Sequence, residues 1–360
     1  MKQGLIFFTK YTDRGPSSRY RTFQYKKYFD KDFNVDLYPL FNSDYIDNLY
    51  KNKNISFFDI IKAYLLRILK VVSLLGTKKL VFIEYELFPY FPPIFEYLLY
   101  KTNVRVILDY DDAIFHNYDN HRSSLIRIFF SRKISSVAKF SNLIITGSPY
   151  LSNYFLQHQN NVVEIPTSIE LEKYNYKIKK SNNLIKIGWI GSKSTSINLI
   201  FLKEVIREFE TQNRNVLFIF MGFDKLLENC LAYSNVKFYE WSEEEELAFL
   251  SKIDLGIMPL SNTPFNQGKC GFKLIQYMAM GKPTISTPLM ANVKINRNNK
   301  NMFATSIKEW IDCINNYINN KEFFDEVGFN NIKIVKEYYS VEANVSIYIK
   351  LLNDMKDVRN

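Results

Sequence analysis

Residue types able to hold a phosphate concentrate in the C-terminal half, in the run FYEWSEEEELAFLSKIDLGIMPLSNTPFNQGKCGFKLIQYMAMGKPTISTP at 238–288. Its order reads as strand, acidic helix, strand, a loop with Gly268 and Gly271, a helix KLIQYMAMG and a final strand. Glycines let the backbone approach a phosphate, the helix that follows offers unpaired N–H groups, and Lys269 and Lys273 add positive charge at its start. Lysines in a first turn oppose the helix dipole, so either a bound anion compensates them or they face solvent. A second glycine turn, IGWIGSKSTS at 187–196, places Gly191, Ser192, Lys193 and Thr195 after a strand, where N–H and hydroxyl groups suit phosphate oxygens.

In the N-terminal half, RVILDYDDAIF at 105–115 sets Asp109, Asp111 and Asp112 at a strand end, a spacing that invites a divalent-cation reading. His116 and His121 follow within a few positions, as further cleft candidates or exposed loop residues. No Ser/His/Asp or Cys/His arrangement is legible. The three cysteines, Cys230, Cys270 and Cys313, are widely spaced and form no CxxC or Cys/His cluster, which argues against a disulfide framework or zinc and for a reducing compartment.

The elements that must position these residues are legible as short apolar runs between longer helical patterns. GLIFFT, LVFIEY, VRVILDY and NLIITG lie in the first half, and IKIGWIG, VLFIFMG, LGIMPL and PTISTP in the second. This alternation predicts an α/β fold with parallel sheets, and continuous hydrophobicity predicts strands covered on both faces. A polar, lysine-rich break places a linker at about 168–184, with a Rossmann-like unit on either side. SFFDIIKAYLLRILKVVSLLG, between 55 and 76, is too charged to span a bilayer. It reads as a buried crossover helix or as a helix lying in a membrane interface, with Lys62, Arg67 and Lys70 along one side.

Length supports two domains: 360 residues exceed one ordinary core. With 47% hydrophobic and 23% charged residues, the chain has the composition of a globular protein. Forty-seven Lys and Arg against 37 Asp and Glu give +10, which favours phosphate-bearing ligands or anionic membranes, although Lys/Asn-rich stretches such as 51–54 and 295–301 read as solvated loops. No nucleic-acid-binding motif accompanies the charge. The N-terminal apolar run is too short for an export signal, so a cytoplasmic location is expected.

DLGIMPL, GKCGFKLIQYMAMGKP, GWIGSKST and YYSVEAN in the second half, with GPSSRYR, RVILDYDDAIF and VEIPTSIE in the first, resemble the retaining glycosyltransferases of the large family four group, in a bacterial surface-polysaccharide branch. The resemblance implies a GT-B fold: two Rossmann-like domains facing across a cleft. It gives 1–168 for an acceptor domain, 169–335 for a nucleotide-sugar donor domain, and 336–360 for a helix crossing back. It further implies that Gly191, Ser192, Lys193, Thr195, Lys269, Gly271, Phe272 and Lys273 hold the donor diphosphate. Gln276 would meet the ribose, and Trp241 would stack on the base or pack in the core. Family members carry glutamates where this chain has Gly268 and Gln276; an amide still pairs with hydroxyls.

By the same resemblance, Asp111 or Asp112 occupies the place of a cleft-facing histidine, orienting the acceptor hydroxyl or stabilising an oxocarbenium-like transition state. Basic groups and a helix dipole then neutralise the leaving diphosphate, so neither metal nor cofactor is expected. Ser17 or Ser18 would cap the first helix, while Arg19 and Arg21 would meet an acceptor phosphate or form salt bridges on that helix. The expected function is transfer of a hexose from a UDP- or GDP-sugar, with retention, to a lipid-linked or glycan acceptor at the inner membrane face. The partners are that donor and acceptor and an anionic membrane. A nucleotide-sugar epimerase or a non-catalytic GT-B partner subunit would share the same sequence features.

Overall fold

The computed structural model describes residues 2–50, 55–174, 184–212 and 214–357. The lysine- and asparagine-rich stretch at 51–54 and most of the expected linker lie outside the described residues. The chain divides into two compact units. The first comprises Met1–Ser168, Gln267–Cys270 and Asn344–Asn360, and the second Ile169–Asn266 and Gly271–Ala343.

In the first unit, β1 (Gln3–Thr9), β2 (Phe33–Pro39), β3 (Leu80–Glu84), β4 (Arg105–Tyr110), β5 (Leu143–Thr146) and β6 (Val162–Glu164) form one parallel sheet. The order is β2-β1-β3-β4-β5-β6. All five residues of β3 are buried, as a continuous apolar run on an inner strand requires. Ile6, Phe8, Val81, Ile83, Val106 and Leu108 meet helical residues such as Leu151 and Phe155 in one apolar cluster. The last helix, Val341–Asp357, belongs to this unit from Asn344 onward. Its Tyr348 ring packs 4.8 Å from Tyr25 and 5.9 Å from Phe29, and the Asn344 amide donates to Ser168 Oγ at 3.0 Å.

In the second unit, β7 (Ile185–Ile190), β8 (Val216–Met221), β9 (Val236–Tyr239), β10 (Leu255–Met258), β11 (Thr284–Ser286) and β12 (Met302–Phe303) make a second parallel sheet, ordered β12-β11-β10-β7-β8-β9. Trp189, Phe218, Phe220, Ile257, Ile285 and Trp310 fill the cluster on it. In each unit the parallel strands end on one edge of the sheet, so the loops that follow them gather there.

The apolar stretch at 55–76 folds as the helix Phe57–Val72. Arg67 departs from the lysine side of that helix. Its guanidinium is buried and donates to the carbonyls of Thr9 (2.5 Å), Tyr38 (2.7 Å) and Leu87 (3.2 Å), clamping the ends of β1 and β2. Phe57, Phe58, Leu65, Leu66 and Leu69 stay exposed, Phe58 by 80%. A second helix of this unit, Ser124–Phe130, exposes Leu125, Ile128 and Phe129. Among the described residues, no helix is long and apolar enough to cross a membrane.

Candidate functional site

The strand ends of the first unit collect carboxylates. β3 runs into Glu84, Tyr85 and Glu86, and β4 into Asp109, Asp111 and Asp112. Each acid has its own partner. Arg21, 1% exposed, holds Asp109 through both carboxylate oxygens and donates to the Ile165 carbonyl at 2.7 Å. The Tyr85 hydroxyl donates to Asp111 and lies 3.1 Å from Ser17 Oγ. Lys269 Nζ reaches both oxygens of Asp112, at 2.8 and 3.0 Å, and Cys270 Sγ donates to the Asp111 carbonyl at 2.8 Å. Glu86 accepts from Tyr118 and from the buried ammonium of Lys133.

Burial raises the Asp111 carboxyl to about 6, with repulsion from Asp112 adding and Arg21 opposing. Burial likewise raises Glu84 to about 8 against hydrogen bonds from Ser18 and Lys10, with Asp111 and Asp109 pushing the same way as burial. Acids held near neutrality have a pKa matched to proton transfer.

The second unit differs at its strand ends. After β7 the chain turns through Gly191, where a Cβ would lie 2.3 Å from the Trp189 ring and 2.9 Å from the Lys273 stem, so only glycine fits. Ser192 caps the following 3-10 helix in a capping box with Thr195, whose Oγ1 accepts the Ser192 N–H at 3.2 Å. Lys273 Nζ sits 5.7 Å above the Trp189 ring. It stands in the first turn of the helix Phe272–Ala279, whose N-cap, Gly271, has φ 67° and supplies no side-chain cap. This turn and helix N-terminus offer backbone N–H groups and a lysine together, the composition of an anion site. Trp241 Nε1 donates to Glu246 Oε2 at 3.0 Å, and Gln276 Nε2 donates to Glu246 Oε1 at 2.7 Å and lies 3.3 Å from the Tyr174 hydroxyl.

The sequence-derived residues therefore distribute as follows. Gly191, Ser192, Lys193, Thr195, Trp241, Gly271, Phe272, Lys273 and Gln276 lie in the second unit, while Lys269 falls in the first, on Asp112. Asp111, Asp112, Ser17, Ser18 and Arg21 share the carboxylate network, and Arg19 lies 4.9 Å over the Tyr20 ring. His116 is bracketed by Asp119 and Tyr150, each at 2.9 Å, and His121 Nδ1 accepts the Ser123 N–H at 2.9 Å. Glu84, Glu86 and Glu246 were not anticipated. Two glutamates in the apolar EYELF were the available signal for the first pair, whereas Glu246 ends a run of four glutamates that reads as a solvated helix start.

Residues 185–320 match the family described as Glycosyl transferases group 1. A protein of Bacillus subtilis (strain 168) named as a teichuronic acid biosynthesis glycosyltransferase, TuaH, is 27% identical over 119 residues, which is 31% of this chain. The chain spans 29% of the length of that curated relative. Among solved structures, a glycosyltransferase from Rickettsia africae ESF-5 is similar with a TM-score of 0.70 at 12% identity, covering 100% of both chains. HepE from Anabaena, in complex with UDP and glucose, gives 0.71 at 14% identity over 98% of this chain and 100% of its own. Sucrose-phosphate synthase from Thermosynechococcus elongatus gives 0.70 at 13% identity over 98% and 99%. The chain has the GT-B fold and carries a glycosyl transferases group 1 domain, a transferase domain, at residues 185–320.

Proposed function

We propose that the chain transfers a hexose from a UDP- or GDP-sugar to a lipid-linked or glycan acceptor, with retention, in surface polysaccharide or lipopolysaccharide synthesis. The observation that carries this reading is the anion-suited turn of the second unit, Gly191 with Lys273 at an uncapped helix N-terminus, lying inside the matched transferase domain. The HepE structures, described as complexes with UDP and UDP-glucose, support a uridine donor. Gly191, Ser192, Lys193, Gly271 and Lys273 receive the diphosphate, and Trp241 and Gln276 border the nucleoside. Asp111, with its pKa raised to about 6, orients the acceptor hydroxyl or stabilises the cationic sugar at the transition state.

A thermal-shift screen of UDP, GDP and their sugar conjugates, with and without EDTA, tests the donor directly. An EDTA-insensitive stabilisation by one nucleotide supports metal-free donor binding. No shift with any nucleotide refutes it and favours a GT-B partner subunit without chemistry, the reading to which Gln276, already donating to Glu246, lends weight.

The exposed apolar faces of Phe57–Val72 and Ser124–Phe130 support peripheral attachment to the inner membrane face. Phe58→Ser with Phe129→Ser is expected to abolish flotation with anionic phosphatidylglycerol vesicles. Unchanged flotation would contradict the attachment.

A further inference from the structure

Trp241, Glu246 and Gln276, all in the second unit, meet beside the glycine turn. Trp241 precedes the helix Glu243–Lys252, Glu246 stands in the first turn of that helix, and Gln276 belongs to the helix Phe272–Ala279. A Cβ on Gly222 would lie 3.3 Å from Trp241 Cβ and 2.1 Å from the Gly191 carbonyl, which puts the tryptophan next to the turn. Gln276 follows Lys273 by three residues, so the two share a helix face. A Cβ on Gly191 would lie 2.9 Å from Lys273 Cε, so the lysine on that face adjoins the turn.

Glu246 and Gln276 are both buried. Glu246 Oε2 accepts the Trp241 indole N–H at 3.0 Å, and its Oε1 accepts from Gln276 Nε2 at 2.7 Å. A carboxylate accepts and cannot donate, so the Gln276 amide can face it only through nitrogen. The same nitrogen donates to the Tyr174 hydroxyl at 3.3 Å. Both amide hydrogens of Gln276 are therefore committed within the protein, and its carbonyl oxygen is what it has left to offer a ligand. That oxygen receives no hydrogen bond among the described residues and is not a fully enclosed atom. Gln276 thus presents an acceptor, as a glutamate would, without a charge. A glutamate at 276 would instead set a carboxylate oxygen against Glu246 Oε1 in place of the 2.7 Å contact, and two carboxylates sharing a site repel.

We propose that Glu246 is a positioning residue for nucleotide selection: it locks the Gln276 amide so that Oε1 accepts from a ribose hydroxyl, and it holds the Trp241 indole beside that amide. The acid of this pair comes from the helix Glu243–Lys252, and position 276, where the resembled family carries glutamate, supplies the amide. The ribose rests on the proposed nucleotide-sugar donor; the locked amide does not.

Calorimetric titration of the full chain with UDP, GDP and their 2′,3′-dideoxy analogues tests it. The parent is expected to bind one nucleotide at least about tenfold more tightly than its dideoxy analogue, because losing the hydroxyl leaves a polar group unpaired. Glu246→Gln, whose own amide lets Gln276 turn either way, should bring that ratio below about threefold. Gln276→Glu should weaken nucleotide binding at least about tenfold, and the exchanged pair Glu246→Gln with Gln276→Glu should return affinity and ratio to within about threefold of the parent. A purely structural Glu246 would weaken nucleotide and analogue alike and leave the ratio intact, a result that overturns the proposal, as does Gln276→Glu binding at least as tightly as the parent. Nucleotide binding by the parent with no preference for the ribose hydroxyls upholds the donor and overturns the role given to Glu246, whereas binding of neither nucleotide overturns both. If Gln276→Glu loses its native circular dichroism, Glu246→Gln and the exchanged pair decide by the same ratios.

Discussion

Each unit has its own parallel six-stranded sheet, but the two place opposite chemistry at the carboxyl edge. In the first, β3 and β4 end in Glu84, Glu86, Asp109, Asp111 and Asp112, which the fold restrains with Arg21, Lys133, Lys269, tyrosine hydroxyls and, at Glu84, the Ser18 hydroxyl and the Lys10 backbone N–H. In the second, β7 and β8 end in Gly191 and Gly222, close enough that a Cβ on Gly222 would lie 2.1 Å from the Gly191 carbonyl, with Lys273 beside them. One scaffold thus carries a restrained acid cluster where its strand ends are acidic, and a glycine turn beside a lysine where they are reduced to backbone. Fold alone dictates neither.

The largest expected effect falls on the acidic side. Arg21→Ala leaves the Asp109 carboxylate buried without its guanidinium and should lower unfolding free energy by about 3–5 kcal/mol in urea titration. A loss below about 1 kcal/mol would show that the network is not restrained as described. On the other side, Lys273→Ala should weaken UDP binding by about 1.5–3 kcal/mol, roughly ten- to a hundredfold by calorimetry, while Asp112→Asn leaves it unchanged. Equal loss in both variants would erase the contrast between the units.

A smaller effect sharpens the comparison through pH. Glu84 has a folded pKa of about 8 against an ordinary value of 4.5, so its folded form retains a proton that the unfolded chain releases. Stability from this group is full below 4.5 and falls as pH rises toward 8, with a slope of at most about 1.4 kcal/mol per pH unit. Asp111 acts the same way between 3.8 and about 6. Glu84→Gln should remove the decline between pH 6 and about 8, and an unaltered slope would mean that Glu84 is not the group responsible.

Much of this fold is written in continuous apolar runs, and inner strands such as LVFIE and VLFIFM follow them closely. The edge strand FNVDLYP escapes that pattern because only its first residue is fully buried, and MF at 302–303 is too short to make a run. Glycine turns and their lysines were legible because few other uses bring glycine, lysine and a helix start together. The partners of the acids were not. Arg21 sits 88 positions from Asp109, and Lys269 is 157 from Asp112, separations no local pattern encodes. The same holds for Gln276, where residue identity suggests ribose while its amide contact with Glu246 depends on helices joined only in space.

The division of labour between the units is tested most directly by Asp111→Asn, measured for UDP affinity and for transfer from the UDP-sugar. The predicted result is UDP affinity within about twofold of the parent with kcat reduced about a hundredfold or more, and loss of the rise in rate through pH about 6 that Asp111 ionisation imposes. Unchanged kcat, or parallel loss of UDP binding and turnover, would contradict it.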